Sequence, residues 1–455
     1  MRVLHLSEKA IKNHTERELR DLDRYFDPDL TLASGFGKKS RKKKEVEKAS
    51  SYETIYLEDV DGYEQRNLGD ESLIVVRDEE SVKEAVKEKA SFKGKRTLVF
   101  TDLIKEEIDQ SSFEYRLMNT SIIDRLSDEV DNFHVFSTEM EAGKKQSHKS
   151  RYIYGLGPCF DREGVKIPFL SSGKGFKVKT FPAERVGLLA IPDLGKKFSN
   201  VLRRKGIEDR AALKECEPEE LMKQEGVGPY RCTKWISSAE AIEEGSVYRI
   251  QENDLEGKHR IYIDIETDSL RPKIVWHIGL YDDVEEKYLS FLEKEPDKKG
   301  RIIKRFGSYL EKHGEPETVL LAWYGSGFDF KVLDDFFEKY GQEFLKTWRR
   351  TEKVDLMRWV KKHAVTSCRT SKLDDVAGCL GYERGKESME LSGKEVARIY
   401  SDHMIGRGGE PDWTSLKEYA KDDVISLKFI YDEISQAPMK YDLKEMKKRY
   451  RRNCF

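Results

Sequence analysis

RIYIDIETDSL, residues 260–270, alternates Ile261, Ile263 and Ile265 with Tyr262, Asp264 and Glu266. A period of two is that of a β-strand, whose successive side chains point to opposite faces. The isoleucines therefore share one face. Asp264 and Glu266 share the other, about 7 Å apart along the backbone. Two carboxylates side by side on a rigid strand repel each other unless a positive charge lies between them, and a divalent metal is the usual remedy. Alone the pair says little. In a chain with 85 Asp and Glu, acid-x-acid patterns arise by chance roughly a dozen times or more.

The following segments give the pair a context. KIVWHIGLYDD (273–283) and EKYLSFLE (286–293) read as two further strands. TVLLAWYGSGFDFKVLDDFFEKYG (318–341) reads as a strand, a Gly-Ser-Gly loop and an amphipathic helix, with Asp329 at the junction. An acid there also simply favours the positive end of a helix. In SLKEYAKDDVISLKFIYDEI (415–434), Leu416, Tyr419, Asp423, Leu427 and Ile430 recur at three- and four-residue steps, as on one helix face. Tyr419 and Asp423 then stack one turn apart. An acid on an otherwise apolar face is costly to bury without a partner; the alternative for Asp423 is a surface ion pair. Asp422 is expected in solvent. His277, His363 and His403 lack the spacing of a ligand pair and read as structural or surface residues.

In this order, the segments from about 258 to 436 resemble the DEDD exonucleases, which have a ribonuclease-H-like fold. Asp264 and Glu266 match the first motif within DIET, Asp329 the second within GSGFDFKVL, and Asp423 the third within YAKDDV. The family more often has Asn where Ser326 or its neighbours stand. Tyr419, four before Asp423, marks the DEDDy branch; the residue five before is Glu418, so the histidine branch does not fit. DLMRWVKKHAVTSCRTSKLDDVAGCLGYE (355–383) is also similar to the family's segment before the last helix. With no polymerase region alongside, the likeness is to the YprB-like stand-alone group. The resemblance implies a catalytic set of Asp264, Glu266, Asp329, Tyr419 and Asp423. The four acids would hold two Mg²⁺ or Mn²⁺ ions for 3′–5′ phosphodiester hydrolysis, and Tyr419 would orient the attacking water.

Upstream, residues 180–246 contain two similar halves, each an apolar helix, a short turn with Gly, and another helix. The second turn, Glu225-Gly226-Val227-Gly228-Pro229-Tyr230, has glycines that allow a tight backbone and leave N–H groups free at the next helix. The first, Ile191-Pro192-Asp193-Leu194-Gly195-Lys196-Lys197, has Asp193 where Gly is preferred. Both resemble helix-hairpin-helix motifs of the tandem type. That implies backbone contacts to nucleic acid through Gly195, Lys196, Lys197, Gly226, Gly228, Arg231 and Lys234, with Arg203 and Arg204 adding charge. A compact helical spacer or protein-interaction module is the alternative; Asp193 puts an acid where a phosphate would approach, which allows a purely structural role for the first half and favours the second half for phosphate binding.

Residues 1–160 read as an α/β domain of unassigned role. TIYL, SLIVV, TLVF and FHVF alternate with two helical stretches, a pattern that suggests a parallel sheet. A basic run, GKKSRKKK (37–44), reads as a loop; LSSGKGFKVK (170–179) reads as another; and 437–455 reads as a basic tail. The fold class expected is α/β and multidomain: an N-terminal α/β domain, a small all-α hairpin domain and a C-terminal mixed-sheet exonuclease domain.

Composition narrows the function classes. No stretch approaches the ~20 apolar residues of a membrane span, and the N-terminus turns charged after six residues. The six cysteines are scattered without C-x-x-C, excluding a disulfide framework or zinc ribbon. A soluble cytoplasmic protein is expected, with nucleic acid as partner and no membrane. The net charge of −2 decides nothing, because local patches govern phosphate binding. DNA is favoured over RNA by analogy with tandem-hairpin proteins. An RNA-processing exonuclease and a non-catalytic nucleic-acid-binding scaffold are the alternatives.

Overall fold

The structure is a computed structural model describing residues 1–453 without 13, 38–39, 88–95, 110–113, 129–131, 162–163, 173–174, 184, 315–316, 386–390 and 408. Contacts divide the chain into two compact units, Met1–Ile191 with Gly195–Ser199, and Pro192–Leu194 with Asn200–Phe455.

The first unit contains two six-stranded sheets. In one, Arg2–Ser7, Leu30–Ser34 and Thr54–Tyr56 run parallel, and Gly164–Ser172 joins the other side of Arg2–Ser7 antiparallel. In the other, Glu71–Val76, Arg96–Thr101, Phe133–Glu141 and Arg151–Gly157 run parallel between two antiparallel edge strands. The expected parallel pairing thus occurs in both sheets, reaching the Thr54–Tyr56 edge of the first and staying central in the second, with antiparallel strands at the remaining edges. Leu32, Leu73, Leu98, Phe100 and Leu170 form a core between the sheets. Helices Glu16–Phe26 and Arg41–Ala49 cover one outer face, while Ser81–Lys87 and Ser121–Ser127 cover the other.

Two sequence expectations change here. The 170–179 loop is largely strand, because Gly164–Ser172 pairs with Phe176–Pro182. Within the basic run, 38–39 lie outside the described residues, and Arg41–Lys44 open a helix capped by the Ser40 hydroxyl. Lys42 donates to Glu45 at 2.6 Å and Lys43 pairs with Asp59, so this charge is partly spent internally.

The second unit holds a five-stranded mixed sheet in the order Lys287–Leu292, Val275–Asp282, His259–Thr267, Thr318–Ala322, Glu352–Asp355. The first three strands pair antiparallel, and the last two run parallel to His259–Thr267. Ile261, Ile263 and Ile265 face a core formed with helices Arg301–His313 and Asp329–Tyr340. Tyr262, on the opposite face, packs with Val424, Leu427 and Ile430 of the long helix Trp413–Gln436. The predicted alternation therefore points Asp264 and Glu266 toward that helix. The supposed tail forms the helix Leu443–Asn453, with Met446 buried.

The segment before the sheet is helical: Lys196–Arg204, Arg210–Lys214, Pro218–Met222 and Pro229–Glu244. Pro229–Glu244 is followed by Val247–Arg249, which pairs with Ala364–Thr366, and Tyr230 reaches the Lys362 carbonyl at 3.5 Å. Among the described residues, no helix is long and apolar enough to cross a membrane.

Candidate active site

Asp264 and Glu266 lie toward the carboxyl end of the central strand, opposite Gly279 and His277. Gly279 has a specific job in this geometry. A Cβ there would stand 3.0 Å from a Val424 methyl and 3.1 Å from the Tyr288 hydroxyl. Its absence lets Trp413–Gln436 settle closely on the strand. That approach brings Asp423 in: single carboxylate oxygens of Asp264, Glu266 and Asp423 all lie within 4.8 Å of one another.

Asp329 reaches the same place through the parallel crossover. The chain leaves Thr318–Ala322, turns through Tyr324-Gly325-Ser326-Gly327, and enters the next helix at Asp329. The turn is tight: a Cβ on Gly325 would lie 2.6 Å from the Phe330 ring, and one on Gly327 would lie 2.1 Å from the Tyr324 ring. Phe328 takes the cap position without a side-chain bond, so Asp329 does not cap the helix. Its carboxylate instead accepts from its own N–H and from that of Ile265, between the two strand acids. Ser326, where the resemblance expects Asn nearby, donates its hydroxyl to Asp355 at 2.5 Å.

Burial dominates the electrostatics. Glu266, Asp329 and Asp423 are each less than a tenth exposed. Burial first, then the charge of Asp329, pushes Glu266 up to about 8, against the pull of Arg384. Burial likewise pushes Asp329 up to about 7, opposed by its two N–H donors. Asp264 is raised well above the carboxylate range by burial, Glu266 and Asp329. The cluster resists full ionisation unless a cation enters. Tyr419, one turn before Asp423 on the same helix, is also buried. Burial, then Glu266 and Asp264, raises its phenol above the usual range, so it keeps its proton.

Two residues unmarked by sequence join this site. Tyr288 brings a buried hydroxyl into the field of Asp264, and burial followed by that charge raises its phenol. Arg384 pairs with Asp423, reaches Asp374 at 2.8 Å, and holds its guanidinium 5.3 Å from the Tyr419 ring centre. The solvated role expected for Asp422 is corrected: it accepts from the Tyr382 hydroxyl at 3.1 Å and the Gly385 N–H at 2.8 Å.

The histidines are structural. His277 is fully buried against Ser290, lowered to about 3 by burial and then by Lys417. His363 is bonded to the Trp359 carbonyl and Asp254, and His403 to the Lys294 carbonyl.

In the helical segment, Gly226 adopts φ 79° and Asp193 φ 64°, so both turns use the left-handed region. Gly228 caps Pro229–Glu244 at φ −89°, and a Cβ there would meet open space, as it would at Gly195. Lys196 and Lys197 are exposed. Arg231 donates to the Gly226 carbonyl. Lys234 departs from expectation: it is buried, 2.6 Å from Asp193 and 3.3 Å from the Lys361 carbonyl. Its charge is spent inside, which also explains the acid at 193.

Residues 261–435 match the family model of the RNase H superfamily. This part of the chain is an RNase H-like domain. The match gives the domain a nuclease-type, hydrolytic character toward nucleic acid, and nucleases of this kind generally use divalent metals, for which the acidic trio is a candidate site. No curated protein matches the chain significantly.

Proposed function

We propose that this RNase H-like domain is a metal-dependent 3′–5′ exonuclease of the DEDDy type, with DNA favoured as substrate. The observation that carries the reading is the convergence of Asp264, Glu266 and Asp423 within 4.8 Å, with Asp329 alongside and Tyr419 one turn away. A surface cluster would be solvated; here burial first, and then mutual repulsion, raises Asp264 and Glu266 above the usual carboxylate range.

The donor set fits the ions that the resemblance implies. All four side chains offer hard carboxylate oxygens, without sulfur or imidazole, which suits Mg²⁺ or Mn²⁺ rather than zinc. Asp264, Glu266, Asp329 and Asp423 would hold them. Such ions supply Lewis acidity toward the attacking water and the leaving 3′ oxygen. Tyr419, holding its proton, orients that water by hydrogen bonding and does not serve as the base. Asp329, tied to the Ile265 N–H, keeps its carboxylate in register with the strand acids. The helical segment would bind the phosphate backbone in the manner of helix-hairpin-helix motifs, through the Gly226–Gly228 turn at the start of Pro229–Glu244. Its strand pairing and the Tyr230 contact fix it to the nuclease domain.

The test is incubation with 3′- and 5′-end-labelled single- and double-stranded DNA and RNA, in Mg²⁺, Mn²⁺ or EDTA, beside Asp264→Ala. Metal-dependent shortening from the 3′ end, faster on DNA and absent in the variant, is expected. Cleavage unchanged in Asp264→Ala would remove the site. Gly228→Asp, which fits the backbone and opposes a phosphate, should weaken DNA binding and lower the salt dependence while leaving Mn²⁺ affinity alone; unchanged affinity would return the segment to a spacer.

A further inference from the structure

Arg384 is the only cation among the described residues that Asp423 meets as an ion pair. It does so from a built position. Asp374 holds the guanidinium at 2.8 Å, the Tyr419 ring lies 5.3 Å beneath it, and its side chain is 12% exposed. The segment carrying it is fastened to the neighbouring acid, with Tyr382 and Gly385 both bonded to Asp422. Successive acids on one helix thus do different work: Asp422 anchors the segment, and Asp423 receives its guanidinium.

One carboxylate oxygen of Asp423 lies within 4.8 Å of one oxygen each of Asp264 and Glu266, close enough for the three to hold one ion. A guanidinium and a divalent ion drawn to the same carboxylate repel each other at close range. We propose that Arg384 is a resident counter-cation of the carboxylate cluster, one that a divalent ion must dislodge from Asp423 in order to bind. The proposal rests on the metal-site reading above. It makes metal affinity a difference between two attractions, and an arginine suits the part because its planar fork can bridge Asp374 and Asp423 while lying against an aromatic face.

The opposite account is that Arg384 merely props Asp423 in position, and the two differ in sign. Mn²⁺ binding to the full-length chain, without nucleic acid, is followed by the electron paramagnetic resonance of free Mn²⁺. Arg384→Gln and Arg384→Met, the latter preserving an apolar stem, should bind Mn²⁺ tighter, on the order of tenfold for removal of one nearby like charge. Arg384→Lys retains the charge and should stay near the parent. Affinity unchanged or weakened in both neutral variants overturns the proposal in favour of a prop. Tightening in Arg384→Lys equal to that in Arg384→Gln overturns it as well. Failure of folded parent and variants alike to bind Mn²⁺ would sink the metal-site reading itself, a result distinct from either. Thermal melts of each variant confirm that a folded chain is compared.

Discussion

The central strand carries an acidic cluster at each end, and the two behave in opposite ways. At its start, His259, Asp282 and Asp283 bring one ligand atom each within 4.8 Å of one another, as Asp264, Glu266 and Asp423 do. Asp282 is wholly buried and well supplied with donors. It accepts from His259 at 2.8 Å, from the Tyr309 hydroxyl at 2.6 Å and from the Val284 and Glu285 N–H groups. Burial works to raise its carboxyl, but those donors outweigh it and hold the group below the usual range. Arg260 pairs with Asp283 at 2.6 Å. At the other end the acids have few donors, and burial raises Asp264 and Glu266. Counting acids would equate the two. Their partners separate them: one is a structural knot, and the other has capacity left for a cation.

Conservative substitutions sharpen this contrast. The largest effect is expected on hydrolysis. Asp423→Asn should lower the rate by about 10³-fold or more, several kcal/mol of lost transition-state stabilisation, while Asp282→Asn should leave it near the parent's. Equal losses in both, measured at saturating metal, would erase the distinction. Stability should reverse the order. Urea unfolding of Asp282→Asn should show a loss of about 2–3 kcal/mol, because its buried donors lose a charged acceptor.

A smaller effect concerns pH. Glu266 binds its proton more tightly folded than unfolded, so its contribution to stability is full below about pH 4 and is lost as pH rises through about 8. In chelator, Glu266→Gln should therefore melt higher than the parent at pH 8, by about 2–4 °C for each kcal/mol, with the advantage shrinking toward pH 5. A lower melting point at pH 8 would mean that the carboxylate is already neutralised. Apparent Mn²⁺ affinity of the parent should rise over the same pH range, since binding expels protons. Smallest is Gly279→Ala, which crowds Val424 and should cost about 1 kcal/mol with a modest loss of Mn²⁺ affinity; unaltered affinity would show that the helix has room to spare.

The alternation of RIYIDIET and the three-and-four spacing around Tyr419 were legible because burial on one face imposes a period. Placement between elements was less so. The strand Glu352–Asp355 is short and charged, with only Val354 apolar to announce it. Gly and Ser in LSSGKGF suggested a loop, although the pairing runs to Ser172 and resumes at Phe176. Helix position alone left Asp422 in solvent, because the returning segment that covers it has no pattern. Arg384 sits in a polar stretch, GYERGK, where one cation among 83 carries no signal. Lys234 looked available because its partner Asp193 lies 41 residues away. Periodicity reports what an element buries; it does not report which distant side chain arrives to meet it.

The docking of Trp413–Gln436 over Gly279 has a consequence for how the chain comes into being. Synthesis delivers Asp264 and Glu266 early and Asp423 late, and no shorter stretch than 264–423 can close the trio. Contacts of such separation form only after the intervening loop entropy has been overcome. A nascent chain therefore carries the first acids as an unarmed strand. The trio is complete only when the helix Trp413–Gln436 seats.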